Sequence, residues 1–224
     1  MAAGVVILKG GPLRVLGMRY PQDGDSDMSK RRWEMFVIPN GQSGEWRVET
    51  FEVSEEDVAL ENMRMTWKLG MGRRTISPGK YQRLMRGSVV VMSNTDAEIN
   101  DHRHAMYKMR DSENVLINGL GLGVVLRDIL DSDTLKSVTV IEISEDVIRL
   151  VGPTFQDDER VNIVCCDAFK YKPPKGIRYG VVWHDIWDYI CADNLPEMHR
   201  LHRKYGKRAD WQGSWCRSLC EMYK

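Results

Sequence analysis

Neither sign of charge is in excess: 32 Lys and Arg stand against 32 Asp and Glu in 224 residues, a formal net charge of zero. Without a basic surplus the whole chain has no electrostatic pull toward nucleic acid or anionic lipid, although a local patch is not excluded. Long apolar runs are missing too. The longest are far too short to cross a bilayer, and Met1 to Gly10 lacks the charged start and long apolar middle of a signal peptide. The expectation is a cytoplasmic protein with no membrane partner. Cysteine is scarce: five residues, two of them adjacent at Cys165 and Cys166, make no disulfide framework and fit a reducing compartment. Cys216 and Cys220 have helical spacing but no second pair beside them, and His199 and His202 stand apart from other ligand types, so no metal is expected.

What is present is length for one sizeable domain with a smaller unit attached. Residues 1–92 read as a small, mostly β unit with one helix. Val5 to Leu8 and Trp33 to Ile38 have strand character, and Asp23 to Asp27 between them is a polar loop. Trp46 to Val53 alternates with one slip in the period, and Asn40-Gly41 marks a turn before it, which predicts a hairpin with Trp33 to Ile38. Ser54, followed by Glu55, Glu56 and Asp57, opens a helix that runs to Gly70. After the basic stretch Gly70 to Arg74, Tyr81 to Met85 and Ser88 to Met92 form a second hairpin split by Arg86-Gly87.

Residues 93–224 read as the larger domain. Ser93 to Met109 is helix-like and carries Thr95, Glu98, Asp101, His102 and His104, either a solvated face or part of a site. Val115-Leu116-Ile117-Asn118-Gly119-Leu120-Gly121-Leu122-Gly123 is the organising stretch: an apolar strand run, three alternate glycines, then the helix-like Val124 to Leu130. Glycines let the chain turn sharply and let a ligand approach the backbone, and a helix start offers free amides. Strand candidates Val115 to Asn118, Val138 to Ile141, Val161 to Cys165 and Gly180 to His184 alternate with helices at Val124 to Leu130 and Glu145 to Val151, the latter capped by Ser144. That alternation predicts a parallel sheet with right-handed crossovers, which binds ligands at the carboxyl ends of its strands. Each strand ends on a polar residue: Asn118, Glu142, Asp167, Asp185. Together they describe one rim of a pocket, each being also a candidate helix cap.

The glycine spacing G-x-G-x-G departs from the dinucleotide fingerprint, and with Glu142 after the second strand it resembles the class I S-adenosylmethionine-dependent methyltransferases, closest to the spermidine-synthase-like group. The resemblance covers Val115 to Asp188. It implies a Rossmann-like methyltransferase sheet, an S-adenosylmethionine cofactor held by Gly119, Gly121, Gly123, Glu142, Ile143, Asp167 and Ala168, and the group's D-x-x-D acids at Asp185 and Asp188 as catalytic residues. In those terms Glu142 serves the ribose and Asp167 the adenine. His102, His104 and Trp187 are candidate substrate residues, and the run Trp183 to Trp187 is similar to small bacteriophage proteins. From the residues alone, two carboxylates three apart repel, so one holds a proton or the pair binds a cationic amine.

Two departures qualify the resemblance. Aminopropyltransferases carry an acid in the glycine loop where this chain has Leu122. Thirty-six residues follow Asp188, too few for the rest of a methyltransferase sheet, so a C-terminally shortened sheet is expected. Leu195 to Tyr205, begun by Asn194 and closed by Gly206, fits the crossover after the fourth strand, and Trp211, Trp215 and Leu219 follow at helical spacing. The six Lys or Arg of His199 to Arg217, with interleaved aromatics, fit either a solvated helix face or a phosphate-tracking surface. The expected function is methyl transfer to a small-molecule acceptor such as an amine. The alternatives are an aminopropyltransferase and a non-catalytic interaction module, and the N-terminal β unit could support a homodimer.

Overall fold

The computed structural model describes residues 37–58 and 76–223. The expected strand Val5 to Leu8, the loop Asp23 to Asp27, the stretch Gly70 to Arg74 and most of the helix after Ser54 lie outside the described residues. That helix does begin as its sequence implies. Residues 55–58 are helical, the Asp57 amide donates to Ser54 Oγ, and the Ser54 amide donates back to the Asp57 carboxylate, both at 3.1 Å.

Two sheets organise the described chain. The first is antiparallel, in the order β1 (Gly41–Ser43), β2 (Trp46–Val53), β3 (Gly79–Arg86), β4 (Val89–Ser93). The β3–β4 hairpin turns at Gly87, as its sequence implies. The first hairpin differs from expectation. Gly41–Ser43 pairs with β2, and the chain turns at Gly44-Glu45 rather than Asn40-Gly41; of the expected partner run Trp33 to Ile38, only residues 37–38 are among the described residues. Ile38 is buried beside β3 without joining the ladder. The Gln82 side chain does the bonding instead: Ile38 N donates to Gln82 Oε1 at 2.8 Å, and Gln82 Nε2 donates to Ile38 O at 2.6 Å. A side-chain amide has the donor and acceptor of a peptide group, so it satisfies a buried backbone that sequence alternation assigns to a strand.

The second sheet is parallel throughout, in the order β7 (Val161–Cys165), β6 (Ser137–Glu142), β5 (Asn114–Asn118), β8 (Tyr179–His184), β9 (Ala209–Ser214). The runs of β5, β6, β7 and β8 match expectation to within a residue because short apolar stretches bounded by turn residues read as strands of a covered parallel sheet. One face, with Val115, Ile117, Val138, Val140, Val181 and Trp183, packs against α1 (Asp96–Arg110), α2 (Val124–Ile129) and α3 (Glu145–Val151). The other, with Leu116, Ile141 and Val182, is covered by Leu201 and Tyr205 of α4 (Leu195–Tyr205). No helix among the described residues is long and apolar enough to cross a membrane.

Two expectations are corrected after β8. Ala209–Ser214, which holds Trp211, the first of the residues at helical spacing, is instead the fifth parallel strand. Trp211 stacks on Trp183 of β8 at 6.3 Å between ring centroids and 10° between planes. Gly213 leaves room for that stack: a Cβ there would come within 2.6 Å of Trp211 and 2.8 Å of Trp183. Helix returns only at α5 (Arg217–Met222). At the start of α4, Asn194 makes no side-chain cap; its Nδ2 donates to Tyr189 O at 2.7 Å.

Candidate functional site

The strand order reverses between β5 and β8. The chain runs from β5 out to β6 and β7, then crosses back to β8 on the other side, and that switch point opens a crevice above the strand ends. A cleft of about 320 Å³ lies there, within the range of small-ligand sites. Its wall is the glycine turn after β5. Gly119 has φ 101°, and a Cβ on it would fall 1.8 Å from the Asp185 carbonyl oxygen, so the turn and the loop after β8 touch backbone to backbone. Gly121 also borders the cleft. Gly123 does not: it faces the Phe155 ring, which a Cβ would meet at 2.5 Å, so this glycine serves helix packing rather than ligand approach. Leu122 is buried, and its amide donates to the Met92 sulfur of β4 at 3.0 Å.

Glu142 ends β6 at the cleft floor and is 9% exposed. The Leu120 amide donates to Oε2 and the Ser144 amide to Oε1, each at 2.9 Å, so the glycine turn itself orients this carboxylate. Burial pushes its pKa up, while the amides of Leu120, Ser144, Ile143 and Gly121 pull it back. Each oxygen keeps acceptor capacity, which suits a vicinal diol. Ile143 stands on the lip, 70% exposed. Asp167, after β7, borders the cleft and also caps its own turn, with Oδ1 accepting the Phe169 amide at 2.7 Å. Ala168 is buried beside it.

Across the cleft stand the residues after β8. Asp185 is largely buried, and its Oδ2 lies 3.8 Å from Nε2 of the buried His102. Burial first, then the charges of Glu98, Asp101 and Glu142, hold its carboxyl well above the usual range. Asp188 also lines the cleft, where it pairs with Arg86 of β3 at 2.5 Å. The two aspartates thus avoid the repulsion their spacing implies. Trp187 lines the cleft, with its indole donating to Glu197 Oε2 at 2.9 Å. His104 is not in the site; it is exposed on α1 against Trp211, 5.6 Å between ring centroids. The sequence reading missed Arg86, Met92 and Trp46, all contributed to the cleft by the first sheet. Nothing local to a hairpin marks which distant strand end it will cover. No group of His, Cys, Asp and Glu among the described residues has the arrangement of a metal site.

No family model matches. The chain is 29% identical over 92 residues to a polyamine aminopropyltransferase of Sulfolobus acidocaldarius, covering 38% of this chain and 30% of that protein. It is 36% identical over 97 residues to a spermine synthase of Saccharomyces cerevisiae, covering 40% of this chain and 31% of the relative. These matches span about a third of either relative's length. Among solved structures, the spermidine synthase of Thermotoga maritima shares 19% identity with a TM-score of 0.47, covering 77% of this chain and 52% of that one. The parallel sheet, its switch-point cleft and these sequence matches give the chain its likeness to the spermidine-synthase-like group of class I methyltransferase-type proteins.

Proposed function

We propose that the cleft binds an adenosyl sulfonium, S-adenosylmethionine in the first reading, and passes a methyl group from its sulfur to an amine. The observation that carries this reading is Glu142. A strand-end carboxylate whose two oxygens are fixed by amides of the glycine turn and of the next helix is a preorganised acceptor for the two hydroxyls of a ribose. Asp167, at the neighbouring strand end, is placed to accept from an exocyclic amine. The cofactor supplies a carbon already bonded to a positively charged leaving group. The protein's part is to orient an amine, take its proton and keep water out. Asp185, with its raised pKa, is the base available for that proton.

A second reading, aminopropyl transfer from decarboxylated S-adenosylmethionine, is favoured by a specific feature. Glu98 and Asp185 border the cleft beside the glycine turn, and this acidic surface suits a cationic aminopropyl tail better than the carboxylate of S-adenosylmethionine. The sequence matches to aminopropyltransferases support it as well. Leu122, buried where an acid would serve that tail, speaks for methyl transfer. Calorimetry with both sulfonium compounds tests the common part: heat is expected with at least one, and Glu142→Ala abolishes it. Folded protein that takes up neither compound would overturn the proposal. Mass spectrometry of putrescine incubated with each compound then separates the readings by the mass added, one methyl or one aminopropyl group.

A further inference from the structure

Beneath the cleft, on the α4 face of the sheet, the ends of β5 and β8 carry polar side chains where the preceding inward positions, Leu116 and Val182, are apolar. Asn118 and His184 are opposite each other in register, and both are fully buried. Asn118 Nδ2 lies 2.8 Å from His184 Nδ1. An amide nitrogen has only protons to give, so Nδ1 accepts and the ring proton sits on Nε2, which faces Gln212 Oε1 of β9 at 3.4 Å. Gln212 Nε2 in turn donates to the His202 carbonyl of α4 at 3.0 Å. The chain of bonds crosses β5, β8 and β9 and ends on a helix.

Core stability does not require this arrangement. Apolar residues in those two places would continue the layer, and Asn118 Oδ1 and the nearby Tyr205 hydroxyl are buried without a hydrogen-bond partner among the described residues. What distinguishes the pair is its neighbours. Gly119 follows Asn118 and Asp185 follows His184, and these two are in backbone contact, with the Asp185 amide donating to Asn118 O at 2.8 Å. The His184 carbonyl accepts the Trp215 amide, also at 2.8 Å, and Trp215 lines the cleft.

We propose that His184 is a positioning residue: bridged between Asn118 and Gln212, its imidazole locks the glycine turn, the Asp185 loop and the segment at Trp215 into one geometry. Burial keeps the ring neutral, its pKa lowered to about 3 with help from the charges of His202 and Lys204, so the lock is indifferent to pH across the working range. Buried hydrogen bonds between strand ends fix the segments they join, and here the Asn118–His184–Gln212 bonds lie directly beneath the two loops whose relative position the proposed transfer depends on. The consequence for ligand affinity rests on the nucleoside reading above; the consequence for loop order does not.

The test is amide hydrogen exchange, read by mass spectrometry on full-length protein without ligand, for wild type, His184→Leu and His184→Gln. In His184→Leu, peptides spanning 117–123 and 183–188 are expected to exchange about tenfold faster, while the peptide covering 138–142 keeps its rate. His184→Gln, which can still accept and donate, restores most of the protection. Unchanged exchange, or acceleration spread equally over 138–142, would overturn the proposal. Titration with 5′-methylthioadenosine and S-adenosylhomocysteine adds a second arm, with affinity in His184→Leu expected about tenfold weaker than wild type. Equal affinity in both proteins counts against the lock; failure of the wild type to bind either nucleoside counts against the cofactor reading and leaves exchange to judge the lock.

Discussion

The two halves of the parallel sheet differ in how their strand ends are built. On the β6–β7 side, Glu142 and Asp167 are fixed by amides from within their own turns or from the glycine loop alongside. On the β8–β9 side, Asp185 and Asp188 are fixed by partners from afar: α1 supplies His102, Glu98 and Asp101, and the first sheet supplies Arg86. One half is a local construction, the other a tertiary one. The local half suits a nucleoside that is the same in every reaction of its type, and the tertiary half is where an acceptor's identity can be set.

Breaking the local half should have the largest effect. Gly119→Ala places a methyl group 1.8 Å from the Asp185 carbonyl oxygen at a φ of 101°, so loss of folded protein or several kcal/mol of stability is expected in denaturant unfolding. Gly87→Ala is the control: φ is also positive, but the space is open, and about 1 kcal/mol suffices. Glu142→Gln should reduce nucleoside affinity by about 100-fold in calorimetry, since charge-assisted hydrogen bonds to two hydroxyls are weakened together. A tenfold effect or less would mean that the floor of the cleft is not the ribose site.

In the tertiary half, Asp185 supplies the pH signature. Its carboxyl binds a proton more tightly folded than unfolded, so fold stability falls as pH rises from the ordinary carboxylate range up to its raised value, and is flat beyond. Asp185→Asn removes that fall and is expected to be more stable than wild type in urea unfolding at pH 9, with no difference at pH 3. In the proposed transfer, the wild-type rate climbs through the same raised value. Asp185→Asn has no such limb and is slower by about 100-fold or more. The smallest effect belongs to Arg86→Ala. An ion pair with one partner 42% exposed contributes under about 1 kcal/mol to stability, but the change frees Asp188, so KM for a cationic amine should fall while kcat holds. An unchanged KM would remove Asp188 from acceptor binding.

The same division explains what could be read in advance. Strands β5 to β8 and the rim positions of Glu142 and Asp185 follow from apolar runs that end on polar residues, a signal contained within about ten residues of sequence, and the roles suggested for the two acids come from the family resemblance. β9 was hidden because its reason for being a strand is the Trp183 ring on another strand and the small size of Gly213, and tryptophans four apart look like a helix face until that neighbour is known. His104 resembles His102 in sequence, yet two positions along a helix face different directions: His102 is buried against Asp185, while His104 meets Trp211 on the edge strand β9. Arg86 carried no mark at all. Its role exists only when a hairpin tip reaches across the switch point.

The Asn118–His184 pair spans 66 residues of chain. β5 is the central strand, yet its neighbour β8 is formed by sequence far downstream of β6 and β7, so the middle of the sheet is among the last parts that a refolding chain can close. Closure entropy for a loop of that size must be met before either strand end gains its partner. The contacts of Glu142 with the glycine turn can therefore assemble early with β5 and β6, while the turn's contact with Asp185 arrives with β8. In refolding kinetics, competence to bind should lag behind secondary structure and coincide with the final burial of tryptophan fluorescence.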